Sequence, residues 1–118
     1  MTSKIEEFAR NLAEAESTRV GIVPLTSIDS ELTVKEAYYV QLENIKKKVE
    51  QGQKIVGKKI GLTSLAMQNL LGVDEPDYGH LLDSMVVENG GSIDIERVLQ
   101  PKVEAEIAFI LKKELRGP

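Results

Sequence analysis

Cysteine is absent from this chain and histidine occurs once, at His80. The first absence excludes a disulfide framework, a thiolate nucleophile and a zinc-thiolate site, and the second disfavours a histidine-built metal centre. Any metal must then be held by oxygen, which selects magnesium, calcium or manganese. Aromatic residues make up 4% of the chain and the net charge is -4, with the basic residues clustered at Lys46, Lys47, Lys48, Lys58 and Lys59. Such a chain has neither stacking platforms nor a basic stripe, and nucleic acid is set aside as a partner. No apolar run approaches the length of a membrane span, and M-T-S-K-I-E-E-F lacks a signal-peptide core. The expectation is a cytoplasmic protein with no membrane partner.

What is present suits one domain's worth of chain. With 118 residues, 42% of them hydrophobic and 29% charged, the sequence has the balance of an ordinary soluble globular protein. Ser3 and Glu6 form a capping-box pattern, and Ile5, Phe8, Leu12 and Ala15 follow at helical spacing, predicting a helix over 4–17. Residues 20–30, with Gly21, Pro24 and a Thr-Ser-Ile-Asp-Ser cluster, read as a connector. Thr33 and Glu36 repeat the capping box. Tyr38, Leu42, Ile45 and Val49 then predict a core-facing stripe on a helix over 34–51, closed by Gly52, with Lys46, Lys47 and Lys48 mostly toward solvent.

From Lys54 to Leu62 the pattern changes to a strand, on which Ile55, Gly57, Lys59 and Gly61 share one parity. Lys59 projects between two glycines, where backbone can approach a ligand closely; the alternative is a solvent-facing strand lysine. Thr63 or Ser64 caps a short helix through Leu71, with Gly72 as its stop. Pro76 and Gly79 flank Asp77 and Tyr78 in a tight turn leading into a strand, and such loops carry function more often than core. Residues 85–95, around Asn89-Gly90-Gly91, read as a hairpin.

Pro101 to Leu111, P-K-V-E-A-E-I-A-F-I-L, has the period-two signature of a strand. Glu104 and Glu106 fall on the same face, roughly 6.5 to 7 Å apart along a strand. At that spacing both carboxylates reach one hard cation, and buried without one they would repel each other. Spacing alone equally allows an edge strand whose glutamates face water.

Three motifs in this order, K-K-I-G-L-T-S, then G-V-D-E-P-D-Y-G-H-L-L-D, then L-Q-P-K-V-E-A-E-I-A-F-I-L, resemble the N-terminal part of the 2-keto-4-pentenoate hydratase (2-hydroxypenta-2,4-dienoate hydratase) family. That family lies within the fumarylacetoacetate hydrolase superfamily. The resemblance runs from the first helix, through A-Y-Y-V-Q in the second, to the end of the chain. It implies an α+β fold: an N-terminal helical segment at 1–52, and at 53–118 the N-terminal portion of a catalytic mixed β-roll. Because family members are longer, the chain reads as a fragment, with the third metal-binding carboxylate outside it. The resemblance further implies Glu104 and Glu106 as ligands of Mg2+ or Mn2+, with Lys59 and Asp77 as catalytic groups. The implied reaction is hydration of a 2-hydroxydienoate to a 4-hydroxy-2-oxo acid in aromatic meta-cleavage degradation.

Implied partners are a small 2-hydroxydienoate or 2-oxo acid substrate, other copies in a homo-oligomer, and a sister decarboxylase or hydratase. The nearest rival is the 4-oxalocrotonate decarboxylase of the same family. Asp77 favours the hydratase, since the decarboxylase pattern tends to place an apolar residue before that Tyr-Gly. A fumarylacetoacetate-type hydrolase shares only the glutamate pair. A reading of another class is a non-catalytic assembly module whose open strand edge recruits partners.

Overall fold

A computed structural model describes residues 3–117. Its elements are α1 (Lys4–Thr18), α2 (Leu25–Ile28), α3 (Val34–Glu50), β1 (Ile55–Gly61), α4 (Leu65–Leu71) and β2 (Asp77–Leu82), followed by short 3-10 turns at Asp83–Met85 and Ile95–Arg97. Both capping boxes form. The Ser3 hydroxyl accepts from the Glu6 N–H at 3.2 Å while Glu6 accepts from the Ser3 N–H at 2.9 Å. At α3 the Thr33 hydroxyl accepts from the Glu36 N–H at 3.2 Å and Glu36 accepts from the Thr33 N–H at 2.8 Å. Each box satisfies helix-end donors that have no partner inside the helix. The expected connector contains one short turn of helix, α2.

The core lies where α1 crosses α3. Phe8, Ala9 and Val40 are buried there, with Ile5, Leu25 and Leu32 packed around them. The stripe expected to be core on α3 is not: Leu42 and Val49 stay 40% and 42% exposed. At about 100° per residue Val40 lies nearly opposite them, so α1 takes the Val40 side of the helix. Leu42, Ile45 and Val49 instead line an open groove of about 670 Å³ with Ile5, Tyr39, Ile55 and His80. Lys46 remains in solvent, but Lys48 leans back to bond Glu16 of α1 at 2.7 Å.

Ion pairing fastens the start of α1 to the start of α3. The Lys4 ammonium lies 2.8 Å from Glu36 and 3.0 Å from Asp29. Lys4, followed by the Thr33 backbone and hydroxyl, holds the Glu36 carboxyl down to about 2 from its ordinary 4.5. A carboxyl depressed in the folded state contributes stability above its unfolded pKa and loses it as pH falls through the folded value. The pairing of α1 with α3 should therefore weaken as pH drops from 4.5 toward about 2. Glu36→Gln should flatten that acid limb in urea midpoints taken across the range, and an unchanged limb would reject the linkage.

Two expected strand regions are not strands among the described residues. Near Asn89 the turn itself forms, with the Gly91 N–H donating to the Glu88 carbonyl at 2.8 Å and Gly90 at φ 79°. Its flanks do not pair: Val86, Ile93 and Ile95 are 62%, 68% and 65% exposed, and an uncovered two-stranded ribbon is marginal in water. Pro101 to Leu111 likewise joins no ladder, with Val103 and Ile110, one from each parity, almost fully exposed. A period-two pattern specifies a strand only where another strand and a covering layer receive it. Among the described residues the one sheet is the antiparallel β1-β2 pair, and 101–111 lies outside it. Helices with a small antiparallel sheet fit part of an α+β fold.

Candidate functional site

The register of β1 and β2 sorts their side chains onto two faces. Gly57 stands opposite Leu81, Lys59 opposite Gly79 and Gly61 opposite Asp77, all on one face; Lys58 with His80 and Ile60 with Tyr78 share the other. The first face is therefore a low floor of glycine from which Lys59, Asp77 and Leu81 rise. Glycine at 61 leaves the Asp77 carboxylate its place, because a Cβ there would run into it. Gly61→Ala should push that carboxylate off the floor. A crystal structure of the variant in which Asp77 keeps its place would contradict this.

Behind Gly61 the chain turns sharply. Leu62 takes a left-handed φ of 53°, costly for a residue with a side chain, and its carbonyl accepts from the Gln68 amide at 2.7 Å. Gln68 is buried on α4, whose first turn is capped by Ser64 and whose end is closed by Gly72 at φ 69°. The strained corner is thus clamped by a buried side chain six residues on. Nothing in the sequence pattern singled Gln68 out beyond its helical position.

Lys59 meets both glutamates. Its ammonium bonds Glu106 Oε1 and lies 3.4 Å from Glu104 Oε2, so the two carboxylates converge on a single positive charge. The hydrogen bond to Glu106 is the chief influence that raises the Lys59 pKa above its usual value; partial desolvation opposes it and the pair with Glu104 adds to it. In this arrangement Lys59 is an ammonium paired with two carboxylates. Two oxygen-donor carboxylates already gathered around a cationic group fit part of the shell of a hard cation. Among the described residues no group of three or more acidic or histidine side chains is gathered that way. Asp77 shares the face of Lys59 and makes no ion pair with it.

The opposite face is fastened to α3. Tyr38 and Tyr78 stack with ring centroids 4.5 Å apart and planes 14° from parallel. Gln41 bonds the Tyr78 carbonyl at 3.1 Å and His80 Nδ1 at 3.2 Å. His80, the sole histidine, lies on this face away from Lys59 and Asp77.

No family model matches the chain. It is 44% identical over 115 residues to a 2-hydroxypent-2,4-dienoate hydratase of Pseudomonas putida, covering 97% of this chain and 52% of that protein. It is 42% identical over 110 residues to a 2-keto-4-pentenoate hydratase of Paraburkholderia xenovorans (strain LB400), covering 93% of this chain and 41% of that one. Among solved structures it is similar to the 4-oxalocrotonate decarboxylase from Pseudomonas putida G7 complexed with calcium and acetate. The TM-score is 0.78 at 35% identity, over 83% of this chain and 39% of that one. The same decarboxylase complexed with magnesium and adipate gives a TM-score of 0.69 at 36% identity, over 74% of this chain and 34% of that one. The chain spans about half or less of the length of these relatives.

Proposed function

From a chain homologous along nearly all its length to the 2-keto-4-pentenoate hydratases, we propose that it forms part of a metal-dependent hydratase. The reaction adds water to 2-hydroxypenta-2,4-dienoate and yields 4-hydroxy-2-oxopentanoate, in the cytoplasmic breakdown of aromatic compounds. The observation that carries this reading is the convergence of Glu104 and Glu106 on Lys59, whose strand face also bears Asp77. Residues 1–52 are the helical support, and 53–118 contribute to a mixed β-roll of the fumarylacetoacetate hydrolase type.

Glu104 and Glu106 hold Mg2+ or Mn2+ in this reading. When bound, the cation supplies Lewis acidity that stabilises enolate charge on the substrate's 2-oxygen. The remaining work falls to side chains. Lys59 delivers a proton to the terminal carbon of the dienol and recovers one from the 2-hydroxyl as that oxygen becomes a ketone, and its charge offsets developing negative charge. Asp77 orients water for conjugate addition, takes up the proton that water releases and returns it to the carbon next to the ketone, which closes the enolate. The glycine floor leaves room for a flat, conjugated acid between these groups. The active assembly is a homo-oligomer, alone or with a sister decarboxylase.

A second reading, 4-oxalocrotonate decarboxylase, has specific support in the fold likeness to that enzyme. It uses the same cation and enolate but releases carbon dioxide. The test is to give the intact protein both substrates with magnesium. Loss of the dienoate chromophore with formation of the hydroxy-oxo acid is expected. Carbon dioxide release from the dicarboxylate without hydration of the dienoate would overturn the hydratase reading.

A further inference from the structure

The face that carries Lys59 and Asp77 has glycine at 57, 61 and 79 and one large apolar side chain, Leu81, so it offers little for packing to grip. The β1-β2 pair is fastened to α3 through β2. The Tyr78 N–H donates to the Tyr38 hydroxyl at 3.3 Å and the Tyr78 carbonyl accepts from Gln41 Nε2 at 3.1 Å. Both backbone polar groups of one β2 residue are thus taken by side chains of α3, as a third strand would take them. The ring stack of Tyr38 on Tyr78 adds an apolar contact to the same residue.

The Gln41 amide can be oriented by logic. A backbone carbonyl only accepts, so the nitrogen of the amide faces Tyr78 and its oxygen faces His80 Nδ1 at 3.2 Å. His80 Nδ1 therefore carries a proton and donates to Gln41. One helical side chain fastens positions 78 and 80 of β2, on either side of Gly79, which stands opposite Lys59.

We infer that Tyr38 and Gln41 are positioning residues, which act through Tyr78 and His80 to set where β2 places Asp77 against Gly61 and Lys59. This rests on the reading of Asp77 as a site group. The variants Tyr38→Phe and Gln41→Glu separate positioning from packing. The first keeps the ring and removes the acceptor, and the second keeps the length and replaces the donor with an acceptor that repels the Tyr78 carbonyl. In the intact protein each should lower kcat by about tenfold and leave KM within about twofold, as misplacement of a reacting group does. The backbone amide NMR signals of Asp77 and Gly79 should shift in step.

Unmoved amide signals with wild-type kcat would overturn the inference, and so would a lowered melting temperature with kcat intact. Asp77→Asn, measured alongside, tells this failure from failure of the underlying reading. Full turnover in that variant removes Asp77 from the site, whereas the amide signals report the positioning of β2 independently of turnover.

Discussion

Changing Glu104 and Glu106 together to glutamine should cost the intact protein about two orders of magnitude in magnesium affinity and take turnover down with it. Glutamine keeps the shape of each side chain and one carbonyl oxygen but removes the charge and turns a donor toward the cation. These two carboxylates are gathered around one positive centre, the Lys59 ammonium, on the strand face that also bears Asp77. Their charge is therefore the property to remove. Each single variant should lose about tenfold, because the remaining carboxylate and water still offer oxygen to a hard cation. Calorimetric titration with magnesium reads the effect directly. Unchanged affinity in the double variant would remove both residues from the metal shell and leave them as ion-pair partners of the lysine.

What the sequence made legible was local. Ser3 with Glu6, Thr33 with Glu36, and Ser64 with Gly72 mark helix ends through bonds that span at most a few residues, so residue identity alone specifies them. The parity of Gly57, Lys59 and Gly61 likewise follows from strand geometry, and it placed the lysine on a glycine floor before any partner strand was known. What failed depended on neighbours distant in sequence. Pro101 to Leu111 carries strand periodicity, but the backbone bonds that make a strand belong to a partner that the period cannot name. On α3 the apolar stripe was read correctly as a stripe and wrongly as core, because α1 took the Val40 side instead. Gln41 lies in the A-Y-Y-V-Q stretch that carried part of the resemblance, but its role gave no signal, since a lone amide in an amphipathic helix looks like surface until β2 is laid against it. The meeting of Lys59 with both glutamates lies between these cases. Alternation put the carboxylates on one face, but their closure on the lysine is a tertiary contact spanning some 45 residues of chain.

Lys59→Met should have two effects of opposite sign. Turnover should fall by about 100- to 10,000-fold, the range expected when a positioned proton donor is lost. Magnesium affinity should rise, because the ammonium now paired with Glu104 and Glu106 competes for the oxygens that the cation needs. A hydrogen bond to Glu106 raises the lysine's proton affinity, so in the absence of metal it stays charged and the competition is between two cations. Methionine retains much of the apolar stem and removes the charge, so the floor between Gly57 and Gly61 need not collapse. The opposed signs separate the alternatives. If Lys59 were only a solvent-facing strand residue, neither quantity would move. A lysine serving solely to hold the 101–111 segment in place would lose turnover and metal affinity together, because the carboxylates would drift once released. Only a lysine that shares its carboxylates with the metal and acts on the substrate gives lower kcat with tighter magnesium. Measuring both on one preparation of the intact protein therefore decides what the residue does.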